Sequence, residues 1–131
     1  MKPFEGKRVV LWGEDKSDLY GLERALLRLG SRVAYAAHLT DIKPIVEEGR
    51  ADLLAVRLDH PRAELNSLLR WLDQHGSAPN LLVVIDPWEQ RLYLDALHQG
   101  AADALVLPID ETELIRIGAT ALQMRRVHQH A

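Results

Sequence analysis

The 131-residue sequence predicts one doubly wound α/β domain built on a five-stranded parallel sheet. Three observations lead there. Five short apolar runs alternate with five stretches whose apolar residues repeat at helical spacing. The connections are short, so right-handed crossovers place the strands parallel with helices on both faces. Hydrophobic residues make up 47% of the chain, yet only one is Phe, so the expected core is aliphatic.

The first strand is expected at Arg8-Val9-Val10-Leu11-Trp12, a β-branched run between Gly6 and Gly13. A helix over Asp18 to Leu29 follows from Leu19, Leu22, Ala25, Leu26 and Leu29 on one face, with Gly30 as its terminator. Arg32 to Ala37 reads as the second strand. Thr40 or Asp41 caps a second helix that tolerates Pro44 in its first turn and closes at Gly49. The third strand runs from Asp52 to Val56, with Arg57 at its end, and Glu64 to Gln74 forms a third helix stopped near Gly76. Leu81 to Ile85 lacks polar alternation, as a central strand covered on both faces requires. Trp88 to Gln99 is a fourth helix ended by Gly100, and Ala104 to Leu107 the fifth strand. Asp110 caps a last helix from Glu111 to about Val127, with Glu113 placed for a capping box. Five such units predict a flavodoxin-like (βα)5 fold of strand order 2-1-3-4-5. Residues 1–131 form one domain with its core at about 7–121. The polar stretch 122–131 is either a frayed end or a helix leading into a further domain.

Composition removes several function classes. A net charge of −3 offers no basic footprint for nucleic acid. Without cysteine there is no disulfide, thiolate metal site or thiol nucleophile, which suits a reducing compartment. No apolar run approaches the roughly 20 residues that span a bilayer, and the start lacks a signal-peptide pattern. A cytoplasmic domain with no membrane partner is expected.

The stretch Asp52-Leu53-Leu54-Ala55-Val56-Arg57, with Pro61 four residues on, resembles a segment of response-regulator receiver domains. There an aspartate at the end of the third strand accepts a phosphoryl group. Asp52 and Pro61 match the flanks, and Arg57 stands at the acceptor position, where it cannot form an acyl phosphate. The resemblance runs from about Lys7 to Ala121. It implies that Gly13 and Glu14, with Asp15 just beyond, take the place of an acidic pair that holds magnesium. It sets Ile85 at the hydroxyl-bearing switch position, Ala104 at the aromatic switch, and Leu107 at the conserved lysine. It also implies a cis bond before Pro108. Magnesium wants several oxygen ligands, and phosphoryl transfer needs charge neutralisation. Gly13, Arg57, Ile85 and Leu107 supply neither. The degenerate, pseudo-receiver type is therefore expected, with no catalytic residue, metal or cofactor. In an alternative register Asp59 is the acceptor, but Pro61 and Asp52 then fall at the wrong spacing.

Function is expected to rest on protein contact, through a homodimer or a partner on the face formed by the fourth helix, fifth strand and fifth helix. Trp88 and Tyr93 are its candidate anchors, whereas Trp71 is expected to pack. Arg57 is expected to lie over Glu14 or Asp15 as an ion pair replacing the metal. The alternative function is a small-anion or metabolite site in the crevice around Arg57, flanked by Gly13 and His60. His128 and His130 are the only close-spaced histidines and do not make a convincing metal site.

Overall fold

One parallel sheet orders the molecule as β2-β1-β3-β4-β5. Its strands are β1 (Arg8–Trp12), β2 (Arg32–Tyr35), β3 (Leu53–Arg57), β4 (Asn80–Ile85) and β5 (Asp103–Val106). The helices are α1 (Tyr20–Arg28), α2 (Ile42–Glu47), α3 (Ala63–Gln74), α4 (Gln90–Gln99) and α5 (Glu111–Gln123). These come from a computed structural model that describes residues 2–75 and 77–124. Gly76, the expected terminator of α3, and the tail with His128 and His130 lie outside the described residues.

Strand parity divides the core in two. Val10, Trp12, Leu54 and Val56 face α2, α3 and α4, where Ile42, Leu65, Leu69 and Leu92 meet them. Val9, Leu11, Leu53 and Ala55 face α1 and α5, against Leu22, Leu26, Leu114 and Ile117. Every residue of β3 and β4 is buried, as the aliphatic runs predicted. Among the described residues, no helix is long and apolar enough to cross a membrane.

Several element ends depart from the sequence reading, each for a local reason. Asp15 accepts from the Ser17 backbone N–H at 2.9 Å, and a 3-10 turn, Lys16–Leu19, forms before α1. A second 3-10 turn, Leu39–Asp41, precedes α2, with Asp41 reaching back to the His38 N–H at 3.0 Å. Trp88 is not helical: residues 86–89 form a turn, and α4 begins at Gln90. Asp110 caps α5 by accepting from Thr112 and Glu113, but Glu113 turns to Arg116 at 2.6 Å instead of closing the box. The largest departure is Phe4, ahead of the predicted core, which is only 2% exposed. Its ring lies on α5 at Gly118, and the Ser31 hydroxyl donates to its carbonyl at 2.8 Å.

At the amino end of the sheet, Asp52 takes the Arg8 backbone N–H at 2.8 Å and its Nε at 3.2 Å. Burial alone would raise the Asp52 pKa. The hydrogen bonds and charge of Arg8, with the charge of Lys7, outweigh it and hold the carboxyl below the ordinary aspartate value. A group with a depressed native pKa contributes stability above its unfolded value, about 4, and loses it as the pH falls through the native value. Asp52→Asn is therefore expected to lower the urea midpoint at neutral pH. The gap from the parent should narrow as the pH falls from about 4 through the depressed native value, because the parent then also carries a neutral group; a gap that does not narrow in acid would contradict this.

Candidate functional site

The carboxyl ends of β1, β3 and β4 bring together the residues that the sequence singled out. Arg57 is the last residue of β3, in register with Val84 of β4. Gly13 follows β1 beside it. A Cβ added at Gly13 would lie 3.0 Å from the Arg57 Cβ and 3.1 Å from Leu19 Cδ1. A side chain at position 13 would therefore press on the first side-chain atoms of residue 57 and on Leu19.

The Arg57 side chain is 7% exposed and is held from several sides. One Nη1 donates to the carbonyls of Leu58 and Val84 and, at 3.0 Å, to Glu89 Oε1. The Nη2 meets Asp86 Oδ2 at 2.6 Å. The Nε makes no hydrogen bond but lies 3.5 Å from Asp18 Oδ2. Burial works against the charged guanidinium, yet the hydrogen bonds and charges of Glu89 and Asp86 outweigh it and raise its pKa further. The expected pair with Glu14 or Asp15 is not formed. The guanidinium points along the sheet toward β4, because the β4–α4 turn offers two carboxylates and β3 lies next to β4.

Glu14 and Asp15 have other work. Asp15 caps the 3-10 turn, and its pKa is lowered by the hydrogen bonds from Ser17. Glu14 pairs with Arg62, whose guanidinium lies 5.0 Å from the centroid of the Trp12 ring. His60 stands between Asp59 at 2.7 Å and Glu14 at 3.6 Å. Ligand atoms of Glu14, Asp59 and His60 lie within 4.8 Å of one another, all on exposed residues. Asp59 is thus on the Glu14 side of the rim, two residues past the end of β3, while Arg57 keeps the strand-end position.

Magnesium does not fit this arrangement. Gly13 supplies no oxygen, a buried cation stands at the strand end, and Glu14 is already tied to Arg62. Ile85 is buried and aliphatic, and Leu107 packs against the α1–α5 core, so neither offers a polar group. Ala104 is buried and has no ring to rotate. The Leu107–Pro108 bond is cis.

Solved structures resemble this architecture closely. The signal receiver domain of a Bermanella marisrubri response regulator has TM-score 0.73 and 23% identity, covering 91% of this chain and 100% of its own. A signal receiver domain of an HD-domain protein from Pseudomonas fluorescens has TM-score 0.72 and 20% identity, covering 91% and 96%. FixJ-N has TM-score 0.76 and 19% identity, covering 97% and 98%. The fold is that of receiver domains. No family model and no curated protein matches the sequence, so the likeness is one of backbone. Against the receiver fold, the residues that sequence reasoning missed are Asp18, Asp86 and Glu89. Asp86 and Glu89 flank Pro87-Trp88 directly after the fourth strand, a position that could have marked them as partners of a cation on the neighbouring strand.

On the proposed contact face the two candidate anchors differ. Trp88 is 79% exposed. Tyr93, expected to be exposed, is half-buried against the core and directs its hydroxyl to Asp103 at 3.4 Å. Leu94 and Val106 are the exposed apolar residues on α4 and β5, at 62% and 48%. Trp71 packs against the core and meets the His75 ring at a tilt of 37°, with ring centroids 4.8 Å apart.

Proposed function

We propose that this chain is a receiver-like regulatory module of signal transduction that works without phosphorylation, through protein contact on α4, β5 and α5. The observation that carries it is Arg57 at the end of β3, buried and bound to Asp86 and Glu89. A phosphoryl switch needs an acceptor carboxylate and a β4–α4 segment free to respond. Here the same segment is fixed by charge-assisted hydrogen bonds to a side chain that accepts nothing. Leu94 and Val106 supply an apolar centre for a contact with a second copy or another protein.

The anion-binding alternative is disfavoured by the same geometry. Three carboxylates already surround Arg57, so an arriving phosphate or carboxylate meets net negative charge.

The test is to incubate the chain with an acyl phosphate donor and magnesium, follow intact mass, and record amide spectra with beryllofluoride and magnesium. No phosphoryl adduct and no shifts at residues 84–90 are expected. A stoichiometric adduct on any aspartate, Asp59 included, would overturn the reading. Leu94→Glu is expected to weaken self-association or partner capture through this face, and an unchanged assembly would move the contact elsewhere.

A further inference from the structure

We propose that the free edge of β2 pairs antiparallel with the same edge of a second copy, about a two-fold axis at Ala34, so that two sheets join into one. This edge is the far side of the sheet from the α4–β5–α5 face and rests on other residues.

β2 ends the sheet, with β1 as its one neighbour. The Arg32 and Ala36 N–H groups donate inward, to the carbonyls of Lys7 at 2.8 Å and Leu11 at 2.9 Å. Backbone groups alternate in direction along a strand, so the N–H and C=O of Val33 and Tyr35 point away from the sheet. Among the described residues no other strand takes them. Such an edge is normally guarded by lysine, proline or an inward-pointing charge. The stretch Val33-Ala34-Tyr35-Ala36-Ala37 carries neither charge nor proline. Its opposite number, β5, carries Asp103 and runs into Pro108.

The edge is complementary to itself. Antiparallel pairing about Ala34 sets Val33 of each copy opposite Tyr35 of the other. These are the residues whose backbone groups point outward, so each pair exchanges both hydrogen bonds. Their side chains share the α1 face, where an aromatic against a β-branched residue is a favourable cross-strand pair. Tyr35 is already held there, its hydroxyl donating to Glu23 at 2.7 Å. On the other face Ala36 packs into the α2–α4 core, whereas Ala34 is exposed and meets its own copy at the axis. Charge selects the same register. Arg32 falls opposite Ala36 and diagonal to His38 of the other copy. Asp41 is placed there, its carboxylate 3.0 Å from the His38 nitrogen. Neither Arg32 nor Asp41 takes an ion pair among the described residues, so each arginine gains a carboxylate while the two arginines stay apart.

The contact is isologous and closes at two copies. Two four-residue strands bury less than a standard interface of roughly 1,600 Å², so the dimer is weak and exchanges with monomer. A strand of another protein would find the same donors and acceptors, but not the matched Val33–Tyr35 and Arg32–Asp41 pairs that the two-fold axis supplies twice.

The experiment exploits a chain without cysteine. It uses the full chain in a Leu94→Glu background, so that the α4–β5–α5 face does not contribute. Single cysteines replace Ala34 or Ala37, both exposed. In the proposed register the two Ala34 positions form a non-hydrogen-bonded pair about 4.5 Å apart between Cα atoms, within reach of a disulfide. The two Ala37 positions, six residues out of register, stand about 20 Å apart. Under mild oxidation Ala34→Cys should give a covalent dimer and Ala37→Cys should stay monomeric. By sedimentation velocity at millimolar concentration the background chain should dimerise, whereas Ala34→Lys and Ala34→Glu should each be monomers with unchanged circular dichroism. Mixing those two should restore one-to-one dimers, since like charges directly opposite repel and opposite charges attract. Three results would overturn the proposal: no covalent dimer from Ala34→Cys, equal cross-linking at both cysteine positions, or a background chain that is monomeric throughout. Failure of the α4–β5–α5 reading would show separately, as a Leu94→Glu change that removes no species from the parent's assembly.

Discussion

Arg57→Met is expected to destabilise the domain by about 3–5 kcal/mol, the scale of removing one partner from a buried ion pair. The methionine fills much of the space of the arginine stem, so a cavity is not the source of the loss. The source is charge. Glu89 is 10% exposed, and its carboxylate would lose its cation and keep only the hydrogen bond from the Asp86 backbone N–H. Asp18 is largely solvated and would contribute less. Urea denaturation would measure the loss directly, and a melting midpoint should fall by roughly 10 °C or more. Restoring neutrality in Arg57→Met/Asp86→Asn/Glu89→Gln should recover a large part of the deficit, because an apolar or neutral replacement of a whole buried cluster is often harmless. If Arg57→Met alone were neutral, the guanidinium would not be the element that fixes the turn.

Phe4→Ala is expected to cost about 3–5 kcal/mol, the usual range for emptying a buried aromatic site. The partner substitution gives the sharper result because its sign depends on the background. A Cβ at Gly118 would lie 2.6 Å from Phe4 Cζ and 2.9 Å from its Cε1. Overpacking of this kind costs about 1–3 kcal/mol, against about 1 kcal/mol gained from replacing glycine by alanine within a helix. Gly118→Ala should therefore destabilise the parent chain. In the Phe4→Ala chain the clash is gone and the propensity gain remains, so the same change should stabilise. A double-mutant cycle by chemical denaturation checks this, and equal effects in both backgrounds would mean that the ring does not rest on Gly118 in solution.

What could be read from the sequence followed the range of the forces involved. Strand order and layers were legible because the runs Val9–Trp12, Leu53–Val56 and Leu81–Ile85 encode burial directly. The position of Arg57 at the end of β3 was legible for the same reason, since it interrupts an aliphatic run at its last residue. The direction of its side chain was not. Glu14 and Asp15 are close along the neighbouring strand, but each has a nearer partner in Arg62 or Ser17. Asp86 and Glu89 enter only once β4 is known to lie beside β3. Phe4 was missed because a lone aromatic before the first strand has no periodicity to announce it. Its place is declared by a residue over a hundred positions away, the glycine of α5. Trp88 was read as the start of the fourth helix, whereas the hydrogen bonds between Asp86 and Glu89 close a turn there first.

Asn80 opens β4 and is buried, and its side-chain amide donates to the carbonyls of Ala121 at 2.8 Å and Met124 at 3.1 Å. The end of α5 is thereby pinned to the foot of a central strand. Tension applied from the carboxyl side would load β4 in shear instead of peeling the last helix away turn by turn. Mechanical force arriving by that route would be shared by the interior of the sheet.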